Sequence, residues 1–406
     1  MPAAGPPDRK GPARAGGTGG AGGTGGAGGT VDDGRPRTGT GPGPVGWFPE
    51  RWTLDGPEPY AVPLPGDRPE APGTEVQPMG DGRVLIRRTV APRRHAFALL
   101  YPTGPGTGEV PLGTVECPDD GSRLRLLPPA PCGARAYALV VGRYTSDLWL
   151  VAGGGRGPEL LAEIPGRCSG GVWLDGTGRM LALDREVAGL TKTVAVDLER
   201  GGEVSPLLQI ADRSADRVLL ADPDSGLLLV RSDAPSPGRD RLGWGVLGST
   251  LPVRFPECLR LPDCVVTPFA VQPGQMLQPE ACAVALRIDG ALGSWVGVWR
   301  PAERYVHHLA APDGWLAGAG VWTPEGVLRL PYATREVPCG VARLTVPVRP
   351  PEAPVPAGGA GPEGAGPVST QVGGLTEAPG AGPAEFAAPR PVPLQQAPLR
   401  ARAATR

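Results

Sequence analysis

Side chains with a chemistry to offer are few in this chain: three His and seven Cys, with Asp and Glu spread through turn-like segments. His95 opens the apolar stretch HAFALLYP and reads as a strand-edge residue. His307 and His308 are adjacent in RYVHHLAAP, so in a strand they point to opposite faces and cannot chelate one ion together. A nucleophilic hydrolase needs Ser or Cys beside a base and an orienting carboxylate. No G-x-S-x-G elbow is present, and the nearest Ser/Gly stretches, CSGG at 168–171 and LGSW at 292–295, fall in strand-like sequence. ADPDSG at 221–226 has the opening of a calcium loop but lacks its third ligand and its bidentate Glu, so it reads as a hairpin turn. The Gly repeat at 17–30 is followed by no Gly-Lys-Ser/Thr and is no phosphate loop. Asp175, Asp222, Asp224 and Glu325 stand in turns, where such side chains bond the nearby backbone.

The cysteines (Cys117, Cys132, Cys168, Cys258, Cys264, Cys282 and Cys339) are scattered singly, with no C-x-x-C pair. That spacing describes neither a disulfide framework nor a zinc site. Reduced Cys behaves as a small hydrophobe, and Cys282 in ACAVALRID has that setting. No residue is therefore assigned a catalytic, cofactor-binding or metal-ligating role, and no cofactor is expected.

The whole chain must position what chemistry there is, and its composition divides it into three. Gly (64 residues) and Pro (53) are far above globular usage. They dominate residues 1–45, with the repeat GTGGAGGTGGAGGT, and residues 349–406, which begin RPPEAPVPAGGAGPEG; both are expected to be disordered tails. Within the second, RPVPLQQAPLRARAATR at 390–406 is less repetitive and is a candidate docking peptide. All nine Trp lie between Trp47 and Trp322, so the expected folded domain spans 46–348. The net charge of −1 gives no pull towards nucleic acid or anionic lipid. The sequence begins MPAAGPPDRKGPARAGG, without the apolar stretch of a signal peptide, and no apolar run nears the roughly 20 residues of a membrane span. A cytoplasmic protein is expected.

Residues 46–348 read as short strands between turns, with no long amphipathic helix. The clearest unit, Ser169–Ile210, has four strands: SGGVWLD, RMLALDRE, KTVAVDLE and EVSPLLQI. Val194, Val196 and Leu198 alternate with Ala195 and Asp197, the pattern of a strand packed more on one face than the other. A turn glycine before the second strand recurs at Gly82, Gly133, Gly178, Gly226, Gly274 and Gly326, at spacings of 51, 45, 48, 48 and 52. That period is the signature of an all-β propeller of four-stranded blades, six by this count. A degenerate seventh hidden in 230–265 is the alternative, and QMLQPE leaves the fifth unit in question. The sixth unit lacks a fourth strand, whereas PYAVPLPG at 59–66 is an orphan resembling one. The expectation is that this N-terminal strand completes the last blade and closes the ring. Trp149, Trp173, Trp244, Trp295, Trp299 and Trp322, one or two per unit, are expected in the core between sheets.

The unit GGVWLDGTGRMLALDREVAGLTKTVAVDLERGGE resembles the TolB-like and WD40-like blade, carried by Asp175, Gly176, Gly178, Asp197, Leu198, Gly201 and Gly202. The same blade type forms the accessory propeller of prolyl-oligopeptidase-like hydrolases, whose catalytic domain has no counterpart here. The resemblance implies fold and little about activity. The expected function is a non-enzymatic scaffold whose loops and axial mouth bind a protein partner, monomeric, with neither nucleic acid nor membrane among its partners. The alternative is a small-molecule hydrolase or lyase with a carboxylate or metal site at the axis. Three or more inward-facing Asp, Glu, His or Asn would favour the enzyme, and an apolar or Arg-rich mouth would count against it.

Overall fold

The computed structural model describes residues 47–54, 58–104 and 106–346. The tails at 1–45 and 349–406, with the docking peptide at 390–406, lie outside the described residues. The described chain is all-β, and its only helical pieces are three single turns of 3-10 helix at Leu198–Arg200, Glu257–Leu259 and Pro279–Ala281. A hairpin of β1 (Glu50–Thr53) and β2 (Tyr60–Pro63) comes first. Six antiparallel meanders follow in chain order. The first sheet has β3 (Glu75–Pro78), β4 (Val84–Ala91), β5 (Arg94–Pro102) and β6 (Thr107–Glu116). The second has β7 (Arg123–Leu126), β8 (Ala136–Val141), β9 (Thr145–Ala152) and β10 (Glu159–Pro165). The third has β11 (Arg167–Trp173), β12 (Met180–Val187), β13 (Leu190–Asp197) and β14 (Glu203–Leu208).

The fourth sheet has three strands, β15 (Asp216–Ala221), β16 (Leu227–Ser232) and β17 (Arg241–Val246), and a remnant of a fourth where Trp244 exchanges backbone hydrogen bonds with Arg254 at 2.8 and 2.9 Å. The fifth is complete, with β18 (Val265–Val271), β19 (Val284–Gly290), β20 (Gly293–Trp299) and β21 (His307–Leu309), so the QMLQPE insertion only lengthens a turn. The sixth stops at three: β22 (Val321–Trp322), β23 (Val327–Tyr332) and β24 (Gly340–Thr345). No further sheet lies in 230–265.

The second strands show how the sheets stack. Along β12, Leu181 and Leu183 join Tyr137 and Leu139 of β8 in one core cluster, whereas Ala182 faces a different cluster with Leu228 and Val230 of β16. In β19, Val284, Leu286 and Ile288 face the fourth sheet, and Ala285, with Ala283 just before the strand, faces the sixth. The period-2 signal is thus an alternation of large and small side chains, both buried, rather than of apolar and polar ones. In β13 every residue from Thr193 to Asp197 is buried, which corrects the expectation of one preferred face. A sheet lying between two others has no solvent face to leave polar.

Hydrogen bonds between successive sheets repeat at nearly the spacing of the turn glycines. Glu75 accepts from the backbone N–H of Leu126, 51 residues on, and Arg125 donates to the carbonyl of Gly170, 45 on. Arg217 donates to Ser169 across 48 residues, the N–H of Gly274 to Asp224 across 50, and Gln272 to the carbonyl of Pro324 across 52. Equivalent positions of neighbouring sheets therefore meet, as they must if each sheet is one copy of the same unit packed on the next.

One expectation fails. PYAVPLPG does not complete the sixth sheet: β2 pairs with β1, Glu50 opposite Pro63, and no described strand pairs with the outer edge of β24. With Pro59, Pro63 and Pro65 the segment has few N–H groups to donate, enough for one partner strand. Its continuation buries Leu64 against Val84, Ile86, Ala98 and Leu100, on the face of the first sheet away from the second.

Candidate functional site

The six turn glycines all adopt positive φ, from +65° at Gly133 to +83° at Gly82, Gly274 and Gly326. That conformation is open to Gly and strained for other residues. At Gly133 the need is double, because its carbonyl accepts from the Gly80 N–H at 2.8 Å and an added Cβ would lie 2.9 Å from the Gly80 Cα. Bulges in β11, between Ser169 and Val172, and in β15, between Val218 and Leu220, re-aim the ends of those first strands.

The strand ends enclose a cavity of about 500 Å³, lined by the first four sheets. Its walls are Pro78 to Gly80, the run Pro128 to Pro131, Gly171 to Trp173, and Leu219 to Ala221 with Pro223. Not one of its lining side chains is ionisable. Trp173 is buried, packs on Tyr137 with ring centroids 5.2 Å apart, and donates from its indole nitrogen to the Pro128 carbonyl at 3.1 Å. It is at once inter-sheet core and cavity wall. An apolar floor with prolines holding its rim suits an apolar side chain and offers no group for proton transfer.

A second cavity, of about 770 Å³, lies where β1, the β3–β4 turn and the β22–β23 hairpin converge. It shares Pro78, Met79 and Gly80 with the first, and its lining is different in kind: Arg51, Arg83, Arg329 and Glu325 beside Trp52 and Trp322. Arg83 is paired with Asp81. Arg51 donates from Nη1 to the Gly82 carbonyl at 3.0 Å, and its Nε is buried without a hydrogen-bond partner. The indole nitrogen of Trp322, a residue 3% exposed, is also buried without one.

The carboxylates singled out by sequence are held in turns. Asp175 accepts from the N–H groups of Thr177 and Met180, and although burial pushes its carboxyl up, those bonds with Arg179 hold it below the ordinary value. Asp222 accepts from the N–H and hydroxyl of Ser225, and Asp224 ties the fourth sheet to the fifth. Glu325 lines the second cavity, with its carboxyl lowered by a hydrogen bond from Thr323. Asp222 and Asp224 share the β15–β16 turn but serve different partners, Ser225 within the turn and Gly274 of the fifth sheet.

His95 is buried at the start of β5, a central strand of its sheet, with Nδ1 3.2 Å from Arg87 Nη1. Burial, then the Arg87 charge, lowers its pKa. His307 approaches Glu303 at 3.5 Å, whereas His308 accepts from Trp295 at 2.9 Å, so the neighbours do face apart. Among the described residues no three His, Cys, Asp or Glu form a metal-binding group. None of the seven Cys is in a disulfide; desolvation raises Cys168 to about 11, despite a hydrogen bond with Ser146.

Sequence reasoning missed the most elaborate polar cluster. Asp216 is fully buried, and its carboxylate accepts from Lys192 Nζ (2.6 Å), the Ile210 N–H (2.9 Å), Ser214 (2.8 Å) and Ser232 (2.6 Å). Thr193 bonds both Asp184 and the Asp216 carbonyl, so the cluster joins the third sheet to the fourth. A signal existed: Lys192 is one of only two lysines in the chain, among 40 Lys and Arg. Every acceptor on Asp216 is taken, which makes the cluster a structural tie.

The chain matches no protein-family model and no curated protein sequence. Among solved structures, it is similar to TolB from Acinetobacter baumannii, with 10% identity and a TM-score of 0.40 over 73% of this chain and 79% of that one. Oligogalacturonate lyase from Vibrio parahaemolyticus shares 12% identity at a TM-score of 0.46, over 71% and 80%. Acylaminoacyl peptidase from Pyrococcus horikoshii shares 11% at 0.43, over 72% of this chain and 46% of that one. These structure neighbours are TolB-like β-propellers and the propeller domains of hydrolases and a lyase, and the resemblance is one of fold. Among the described residues no helix is long and apolar enough to cross a membrane.

Proposed function

We propose that residues 46–348 form a six-bladed propeller that acts as a protein-binding module, its ligand an apolar segment of a partner protein seated in the cavity at the first-strand ends. The observation that carries this is the lining of that cavity: Pro128 to Pro131, Trp173 and Leu219 to Ala221, without one ionisable side chain. Such a surface gains by covering apolar area, roughly 25 cal/mol per Å² removed from water, and its fixed proline and glycine backbone loses little entropy on binding. Seven Cys scattered singly along the chain, none in a disulfide, support a reducing compartment such as the cytoplasm.

The test is affinity capture with the full chain and with Pro131→Glu, an exposed position on the rim. A stoichiometric partner held by the native chain should be lost by the variant, because a carboxylate in an apolar contact must be desolvated without a partner. A partner retained equally by both would place binding elsewhere on the molecule.

A further inference from the structure

The two cavities meet at the ridge Pro78–Met79–Gly80 and present opposite chemistries on its two sides. On one side the walls are apolar. On the other, Arg51 has a buried Nε with no acceptor, and the buried indole N–H of Trp322 has none either. A buried donor without an acceptor is a standing cost, relieved when a ligand supplies one. Two such donors, on β1 and β22, line the same cleft.

The charges sort the possible acceptors. Arg83 is neutralised by Asp81, and Glu325 is hydrogen-bonded by Thr323 with Arg329 beside it. No described carboxylate forms an ion pair with Arg51, whose one hydrogen bond is to a carbonyl. A guanidinium so placed selects a carboxylate, whose two oxygens can accept from more than one donor.

We propose that the partner segment is an acidic–apolar peptide that crosses the Pro78–Gly80 ridge, its apolar side chain in the first cavity and an Asp or Glu carboxylate bound by Arg51 and Trp322 in the second. This rests on the cavity reading above and adds to it the charge of the partner and the residues that read it. The ridge itself contributes little side chain: Gly80 is exposed, and its N–H is already bonded to Gly133, so a peptide can pass close over it.

The experiment is selection from a random decapeptide display library on the full chain, on Arg51→Gln and on Trp322→Phe, followed by anisotropy titration of the chosen peptides. Peptides pairing an apolar residue with an acid are expected from the native chain. Arg51→Gln should bind them about tenfold or more weakly and lose the acid preference while keeping the apolar one. Trp322→Phe, which keeps the ring and removes the donor, should weaken them about three- to tenfold. Apolar peptides without an acid, chosen alike by native chain and variants, would overturn the cleft's role and leave the first cavity standing. Acidic peptides bound equally by all three proteins would overturn it as well. Failure to select any peptide sensitive to Pro131→Glu would overturn the first-cavity reading, and the composite ligand with it.

Discussion

The boundary between the third and fourth sheets and the region where the first and last sheets approach are built from the same repeated unit and filled in opposite ways. Between the third and fourth, Ala182, Ala195, Leu228 and Val230 close a continuous core, and the Lys192–Asp216 cluster ties the strands at its edge. Between β22 and the β3–β4 turn stands a hairpin, β1–β2, with a cleft of about 770 Å³ beside it and two buried donors without partners. A repeat specifies what one copy offers the next, and it says nothing of what the first must offer the last. At the third–fourth boundary the polar cluster around Asp216 is satisfied, whereas in the cleft beside the hairpin Arg51 and Trp322 each bury a donor without a partner.

The largest effect that would test this contrast is at the inherited boundary. Asp216→Ala leaves Lys192 charged and nearly buried without its partner, and should cost about 3–5 kcal/mol, read as a lower urea midpoint with the slope unchanged. On the improvised side, Leu64→Ala should cost about 2–4 kcal/mol, since Leu64 is 1% exposed against the first sheet. A loss well under 1 kcal/mol there would mean that the hairpin region melts apart from the sheets.

Proton linkage gives the next test. Asp184 at the third–fourth boundary is pushed up to about 6, chiefly by burial, against the hydrogen bond from Thr193. Its folded pKa lies above the unfolded value near 3.8, so the native state holds its proton more tightly. Stability should therefore fall as pH rises from about 4 to about 6 and level off above, by an amount on the order of 2–3 kcal/mol. Chemical denaturation across that range should show the fall in the native protein and not in Asp184→Asn. Gly133→Ala comes next, at about 1–3 kcal/mol, from positive φ and the contact with Gly80 combined. Arg51→Gln should change stability by under about 0.5 kcal/mol, because that guanidinium holds one carbonyl bond and no described ion pair. A large destabilisation would show Arg51 to be structural and erase the distinction drawn between cleft and interface.

Much of the fold was legible because it is local. The turn glycines mark positions where one residue must take positive φ, and five of the six stand within three residues of the second strand expected from sequence, Gly274 being separated from β19 by the QMLQPE insertion. Asp222 and Asp175 could be assigned to turns for the same reason, since their acceptors serve N–H groups within five residues. The cavity walls were harder to foresee. LLPPAPCG reads as a loop, and only its arrangement beside Trp173 and Leu219 makes it a binding surface. Asp216 was missed because its partners come from 2 to 24 residues away, on different strands.

The sequence by itself determined the repeating unit, the order of its strands and the residues that turn them, because each depends on side-chain alternation and backbone conformation within a few residues. Only the tertiary structure decided that both faces of β13 are buried, that PYAVPLPG pairs with β1 and not with the sixth sheet, and that Arg51 and Trp322 share a cleft. Those outcomes depend on which surfaces meet after the sheets have stacked, and a strand's pairing partner is set by competition among all the edges the folded chain presents.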